Sequence, residues 1–128
     1  MFHNPSSVDW SGTMRVTIYH NPRCSKSRKT LDILQKRGEN VRVIQYLKTP
    51  PDSNDLAQIL NLLGQSPRDF MRKGEAAYKQ LGLDSSYHSD EDLISAMVQH
   101  PTLIERPIVL ANGKAVVARP PERALEII

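Results

Sequence analysis

The pattern of apolar and polar positions predicts alternating strands and helices in the first third of the chain. Residues 15–19 and 41–47 are rich in β-branched and aromatic side chains, which is typical of strands. Between them, apolar residues recur at helical spacing until Gly38, a natural helix stop. The succession of strand, helix and strand predicts a βαβ unit, whose two strands run parallel.

The middle of the chain has a different character and predicts small helices over about residues 52–100. The first helix begins just after two prolines and ends at Gly64. Ser66, followed by a proline, opens a shorter helix that contains residues 70–72, and an irregular or briefly helical connection follows it. Ser89 and Asp92 have the spacing of a capping box and start the last helix of this segment.

The C-terminal part returns to β-structure. Residues 107–110 and 114–118 are apolar runs that flank Asn112-Gly113, a strong hairpin signal. A final helix is expected over residues 122–128. The resulting order is βαβ, a helical insertion and ββα around one mixed four-stranded sheet. This is the thioredoxin-like α/β architecture.

The length of 128 residues suits a single domain that needs no disulfide or structural metal. Residues 1–13 show no periodicity and are expected to form a disordered N-terminal extension. Residues 14–128 are expected to form the thioredoxin-like domain, with its helical insertion at about residues 52–100.

Composition narrows the possible functions. The formal net charge is only +3 and aromatic residues make up 5%, which favours small anionic ligands over nucleic acid. No apolar run is long enough for a membrane span, and no signal peptide is recognisable at the N-terminus. A single cysteine excludes an internal disulfide and a multi-thiolate metal site. We therefore expect a cytoplasmic protein with no bound metal or cofactor and no membrane or nucleic-acid partner.

The single cysteine, Cys24, lies where the first predicted strand turns into the first helix. Backbone N–H groups at a helix start lack intrahelical partners, and the helix dipole is positive there. Four nearby cations add to this charge: Arg23, Lys26, Arg28 and Lys29. An ordinary cysteine has a pKa of about 8.5, and such surroundings lower it. They also bind oxyanions, so a nucleophile and an anion site coincide. The alternative is a thiol that only packs in the core.

Several stretches together resemble the glutaredoxin-coupled arsenate reductase family. They are Tyr19-His20-Asn21-Pro22-x-Cys24-x-x-Ser27-Arg28-x-Thr30, Tyr46-Leu47-x-x-Pro50-Pro51, Arg72-Lys73, Tyr78-x-x-Leu81-Gly82-Leu83, Gln99-His100-Pro101-x-Leu103-Ile104-x-Arg106-Pro107-Ile108-Val109 and Arg119-Pro120. The resemblance extends over residues 14–128 in unbroken order. It implies that Cys24 is the catalytic cysteine and that His20 lies near it. It also implies three arginines that handle the oxyanion: Arg72, Arg106 and Arg119.

Other residues near the nucleophile have alternative interpretations. Ser27 could hydrogen-bond the thiolate or be an ordinary serine of the first helical turn, and His20 could tune the thiolate or simply be bonded nearby. Arg28 is a further candidate substrate-binding residue. Thioredoxin-like folds place a cis-proline before the strand that faces the thiol, so Arg106-Pro107 is expected to be cis, with Pro107 in a structural role.

The chemistry implied by the resemblance is reduction of arsenate, or a related oxyanion, through a covalent Cys24 adduct. Reduction of As(V) to As(III) needs two electrons, and a disulfide product needs two thiols. Ser27 stands where redox motifs place a second cysteine. The other thiol must therefore come from solution, and glutathione as co-substrate with glutaredoxin as partner is the natural source.

Two other functions are compatible with the sequence. An Spx-type regulator that binds RNA polymerase shares this fold, but such proteins usually carry a Cys-x-x-Cys switch, whose second position is here Ser27. A thiol-redox or deglutathionylating protein without arsenate activity needs only the reactive Cys24.

Overall fold

The computed structural model describes residues 15–128, which fold around one four-stranded sheet. Strands β1 (Arg15–His20), β2 (Asn40–Gln45), β3 (Ile108–Ala111) and β4 (Lys114–Val117) lie in the order β2-β1-β3-β4. Strand β1 pairs parallel with β2 and antiparallel with β3, which pairs antiparallel with β4. The predicted mixed sheet and thioredoxin-like α/β fold are confirmed. The extension expected over residues 1–13 lies outside the described residues.

Strand β2 is shorter than the sequence predicts. It ends at Gln45 and not at residue 47. The Gln45 carbonyl accepts hydrogen bonds from the N–H groups of Lys48 and Thr49, at 3.0 and 2.9 Å. These bonds close a turn, which takes Tyr46 out of the ladder with β1. Tyr46 is thereby placed at the carboxyl end of the two parallel strands.

Helix α1 (Ser25–Lys36) connects β1 to β2 and packs one face against the sheet. Its buried residues are Ser27, Thr30 and Leu34, at the i, i+3, i+7 spacing of a single helical face. The helix ends before Gly38, whose φ of +79° is in the left-handed region that glycine adopts at low cost. The predicted helix stop is therefore confirmed.

The segment between β2 and β3 is helical. It contains α2 (Ser53–Leu63), α3 (Pro67–Phe70), α4 (Ala76–Gln80) and α5 (Asp90–Gln99), followed by a 3₁₀ turn at Pro101–Leu103. Among the described residues, none of these helices is both long and apolar enough to cross a membrane.

Short-range caps fix where these helices begin and end. The Asp52 side chain accepts from the N–H of the third residue of α2 at 2.8 Å, and Ser66 caps α3 in the same way at 3.2 Å. The predicted capping box is confirmed: Ser89 Oγ accepts from the Asp92 N–H at 3.1 Å, and the Asp92 carboxylate accepts from the Ser89 N–H at 3.0 Å. Gly64 ends α2 with a φ of +67°.

The predicted hairpin between β3 and β4 is confirmed, with positive φ at both Asn112 and Gly113. The final α-helix expected over residues 122–128 is wrong in type and range. The chain forms a 3₁₀ helix over Pro121–Glu126, beginning with an Arg123 N–H to Pro120 carbonyl bond of 3.0 Å. Two successive prolines lack N–H donors, and the segment is too short to propagate an α-helix by itself.

Both faces of the two central strands, β1 and β3, are buried. Alternate residues of β1 point to opposite faces, so Val16 and Ile18 face α1 and the C-terminal 3₁₀ helix, and Tyr19 faces the helical segment. Removing a large apolar side chain from water contributes about 1.5–3 kcal/mol. Packing on both faces holds β1 firmly, and the Cys24 loop leaves from its carboxyl end.

Candidate active site

Cys24 is the residue that caps α1, at the end of a short loop from β1. The loop is closed by its own polar groups. The Cys24 N–H donates to the Asn21 carbonyl at 3.0 Å, and the Arg23 N–H donates to Asn21 Oδ1 at 3.0 Å. The Arg28 N–H then donates to the Cys24 carbonyl at 3.0 Å as the first bond of the helix. The partly exposed thiol is therefore fixed at the helix N-terminus.

The surroundings of the sulfur favour the thiolate. Burial by itself raises the pKa of Cys24, but the backbone N–H groups of Ser27 and Lys26 and the guanidinium of Arg106 together outweigh it. The pKa of the thiol consequently lies below its ordinary value. This is the direction expected from the sequence. The positive charge that lowers the pKa, however, is that of Arg106 and not that of the cations in the loop and first helical turn.

Arg106 lies beside Cys24, two residues before β3 begins. The predicted cis bond between Arg106 and Pro107 is confirmed, and Arg119-Pro120 is also cis, which the sequence analysis did not predict. Nε and Nη1 of Arg106 are buried and have no hydrogen-bond partner among the described residues. A buried guanidinium with free N–H groups normally requires a partner. Next to a thiolate, an anionic ligand would supply one.

Arg72 and Arg119 lie together on an open depression of about 540 Å³, and Cys24 is not among the residues that line it. Arg72 follows α3 and is not part of it, contrary to the sequence prediction, because its N–H donates to the Leu103 carbonyl at 2.8 Å. Both guanidinium groups are paired with carboxylates. Arg72 Nη1 lies 3.3 Å from Glu75 Oε2, and Arg119 Nη1 lies 3.2 Å from Glu105 Oε1.

His20 and Ser27 are joined to each other, and Arg28 is bonded to the loop. His20 Nδ1 lies 2.6 Å from Ser27 Oγ, and burial, aided by the charge of Arg28, lowers the pKa of His20. Arg28 is exposed and donates from Nη1 to the Pro22 carbonyl at 2.9 Å. Of these predicted site residues, only Ser27 reaches the sulfur, and it does so through its backbone N–H.

Tyr46 belongs to the site, although the sequence analysis gave it no role. Its side chain is buried, and burial raises the pKa of its hydroxyl. The charges of Arg106 and Arg72 and a hydrogen bond with the Asn21 side chain act in the opposite direction, and Cys24 adds to the rise. The hydroxyl therefore lies among groups of the site. The sequence signal for this role is the position of Tyr46 just after β2. Because the carboxyl ends of parallel strands meet at one edge of a sheet, Tyr46 lies beside the loop that follows β1.

This arrangement combines a nucleophile with donors for an anion. A low-pKa sulfur, backbone N–H groups and the Arg106 guanidinium meet at one point, and two nitrogens of that guanidinium have no partner among the described residues. Two further arginines lie on the depression that Glu105, the residue before Arg106, also lines. Among residues 15–128, no group of three or more His, Cys, Asp or Glu side chains is placed to hold a metal ion. The site can bind a small oxyanion beside the thiolate, and the thiolate can take part in thiol–disulfide exchange.

The mixed sheet, with a cysteine of lowered pKa at the start of the helix that follows β1, defines a thioredoxin-like thiol protein. Comparison with known families makes this class specific, because the profile of the ArsC family matches residues 19–127. The chain belongs to the ArsC family.

Similar proteins cover nearly all of the chain. It is 54% identical over 117 residues to "Uncharacterized protein YfgD" of Escherichia coli strain K12, covering 91% of this chain and 98% of that protein. It is 52% identical over 108 residues to an arsenate reductase of Neisseria meningitidis serogroup B, covering 84% and 92%. The solved structure of an arsenate reductase from Vibrio cholerae superimposes with a TM-score of 0.86 at 50% identity, covering 90% and 98%.

Proposed function

We propose that this protein is an arsenate reductase that uses Cys24 as nucleophile and takes its electrons from glutathione and a glutaredoxin. The observation that carries the proposal is the Arg106 guanidinium, which lies beside the Cys24 sulfur and whose buried Nε and Nη1 atoms have no partner within residues 15–128. A tetrahedral oxyanion matches the forked donors of arginine and would occupy them. The relatives named arsenate reductase support the choice of arsenate.

In the first step the Cys24 thiolate attacks arsenic and forms an S–As bond, and one arsenate oxygen leaves as water after taking up protons. Arg106 is placed to hold the remaining oxygens and to balance their charge. The backbone N–H groups of Lys26 and Ser27 stabilise the sulfur as an anion before attack and as the leaving group when arsenite is released.

The electrons come from outside the chain, since Cys24 is its only cysteine. A glutathione thiol attacks arsenic and forms a second S–As bond, and another oxygen leaves as water. A glutaredoxin thiol then attacks the glutathione sulfur to form a mixed disulfide, and the electron pair of the broken S–As bond stays on arsenic as As(III). Water displaces the Cys24 sulfur from As(III), so that arsenite leaves and the Cys24 thiol is regenerated. The residues that flank Cys24 are exposed, so a partner thiol can approach: Pro22, Arg23, Ser25 and Lys26. A reducing compartment such as the cytoplasm supplies these thiols.

The purified protein, assayed for arsenite with arsenate, glutathione and glutaredoxin, tests the proposal. Wild-type protein should produce arsenite only when both thiols are present, and Cys24→Ser should be inactive. Ser25→Ala, which changes an exposed neighbour of the nucleophile, is the matched control and should retain activity. Mass spectrometry of stalled reactions should find arsenic or glutathione on Cys24. Arsenite formation without any added thiol would overturn the scheme.

The same preparation separates the reductase from a thiol-redox protein without arsenate activity. Both require a reactive Cys24, but only the reductase requires Arg106 to bind an oxyanion. Reduction of a glutathione mixed disulfide with no arsenite from arsenate would assign the second function.

A further inference from the structure

Glu105 connects two of the arginines that the site presents. A single carboxylate oxygen, Oε1, accepts from the backbone N–H of Arg106 at 3.2 Å and from Arg119 Nη1 at 3.2 Å. About a third of each side chain of the Arg119–Glu105 pair is exposed, so the pair is partly shielded from water. Glu105 also lines the depression that holds Arg119 and Arg72.

The three arginines are therefore not equivalent in this state. Arg106 has buried N–H groups with no partner among the described residues, but Arg119 already faces a carboxylate. A carboxylate and a tetrahedral oxyanion use the same guanidinium donors. An oxyanion that reaches from Arg106 to the Nη1 donor of Arg119 must replace Glu105 there, and the displaced carboxylate stays next to Arg106 in the chain.

We propose that Glu105 is a specificity-determining residue of the oxyanion site, a built-in carboxylate that competes for Arg119 and lowers the positive potential felt by a bound anion. This rests on the proposed function only in taking an oxyanion as the ligand. Coulomb energy is proportional to the charge of the ligand, so the same carboxylate weakens the binding of a dianion more than the binding of a monoanion. Glu105 thus shifts the preference of the site towards singly charged oxyanions.

Two tetrahedral ions that the protein cannot reduce with thiols under mild conditions provide the test: sulfate, a dianion, and perchlorate, a monoanion. Each ion that occupies the site shields Cys24, so its binding constant follows from the slowing of Cys24 alkylation by iodoacetamide. Glu105→Gln keeps the size of the side chain and an oxygen for the Arg106 N–H but removes the charge. Sulfate should bind about 10-fold more tightly to this variant, and perchlorate about 3-fold, because the effect scales with ligand charge.

A double-mutant cycle with Arg119→Ala tests the route of the effect. If Glu105 acts by competing for Arg119, most of the gain for sulfate should disappear when Arg119 is absent. Glu126→Gln is the matched control, since Glu126 pairs with Arg123 at 3.5 Å and does not line the depression. It should leave both binding constants unchanged. If Glu105→Gln does not fold, Glu105→Ala removes the same charge and carries the same expectation.

Weaker or unchanged sulfate binding in the Glu105 variant would overturn the proposal. If the carboxylate only positioned Arg119, its removal would not strengthen the binding of sulfate. Equal factors for the two ions, or an undiminished gain without Arg119, would overturn it as well. So would a wild-type alkylation rate that no oxyanion slows. A protein that binds sulfate as described but forms no arsenite would remove the reductase function and leave the role of Glu105 intact.

Discussion

His20 Nδ1 and Ser27 Oγ form a buried hydrogen bond of 2.6 Å between the last residue of β1 and the first turn of α1. Ser27 Oγ also accepts from the Asn21 N–H at 3.0 Å. The loop that carries Cys24 lies between these two elements, so both bonds hold its ends together. The side chain of Ser27 fixes the loop, and its backbone N–H faces the sulfur.

Replacing Ser27 with alanine should therefore lower the free energy of unfolding but leave the pKa of the Cys24 thiol nearly unchanged. The variant leaves the Asn21 N–H and His20 Nδ1 without their partner in a buried setting, which costs about 1–3 kcal/mol in the free energy of unfolding. The backbone N–H that faces the sulfur is retained. Denaturant titration measures the first effect, with the exposed Ser25→Ala as control. Unchanged stability would show that the hydroxyl bonds are dispensable.

The depressed pKa of His20 predicts a pH dependence of stability. In the unfolded chain the histidine binds a proton at a pKa of about 6.5, whereas burial and then Arg28 make protonation harder in the native state. The unfolded state binds more protons in this range, so the stabilising contribution is present above about pH 6.5 and is lost as the pH falls further through the folded pKa. His20→Asn, which keeps a polar atom for Ser27, should lose less stability between about pH 8 and about pH 5. An identical slope in both proteins would contradict this.

Local chemistry explains which parts of the fold the sequence could predict. The hairpin needs only Asn112-Gly113, the capping box only Ser89 and Asp92, and the end of α1 only Gly38. Each signal acts within a few residues, so the residue types in a short stretch determine both the backbone conformation and the hydrogen bonds there. The α-helix predicted at the C-terminus is wrong because two successive prolines lack N–H donors and the segment is too short to propagate an α-helix by itself.

The position of the site could be predicted from the sequence, but the contacts between its side chains could not. The motif around Cys24 placed the nucleophile at the helix start, and the resemblance supplied Arg106. No periodicity indicates that Arg119 meets Glu105, which lies fourteen positions earlier and across a β-turn. Tyr46 escaped notice for the same reason: its neighbours in the site come from distant segments, and only the assembled sheet edge brings them together.

Tyr46→Phe should weaken the arrangement of the Cys24 loop without opening a cavity. The change removes the hydroxyl that bonds the Asn21 side chain and lies within electrostatic reach of Arg106. Loss of one such hydrogen bond costs about 0.5–1.5 kcal/mol, so kcat/KM for arsenate should fall about 2- to 10-fold. Tyr78→Phe is the control, since Tyr78 is a partly buried tyrosine that packs against the same core cluster. A wild-type kcat/KM in Tyr46→Phe would place its hydroxyl outside the working site.

Arg106 should control the reactivity of Cys24. Alkylation rates measured against pH should give a wild-type midpoint below the ordinary thiol value of about 8.5. Arg106→Ala removes the adjacent positive charge and should raise the midpoint, and Arg106→Lys should raise it less. Arg28→Ala is a useful comparison, because its guanidinium is bonded to the Pro22 carbonyl. A midpoint that does not move in Arg106→Ala would assign the lowered pKa to the helix start alone.

Alanine replacements of Arg72, Arg106 and Arg119 should each reduce kcat/KM for arsenate, but not equally. Loss of a charge-assisted hydrogen bond costs about 1.5–3 kcal/mol, which corresponds to about a 10- to 150-fold decrease. Arg106 should lie at the upper end, because its buried Nε and Nη1 have no partner among the described residues to give up when the oxyanion binds. Arg72 and Arg119 should lie lower, since each must first leave a carboxylate. Lysine variants should recover only part of the activity, because they keep the charge and lose the fork. Wild-type kinetics in all three alanine variants, with folding verified by thermal melts, would mean that these arginines serve stability or solubility and that the oxyanion is held elsewhere.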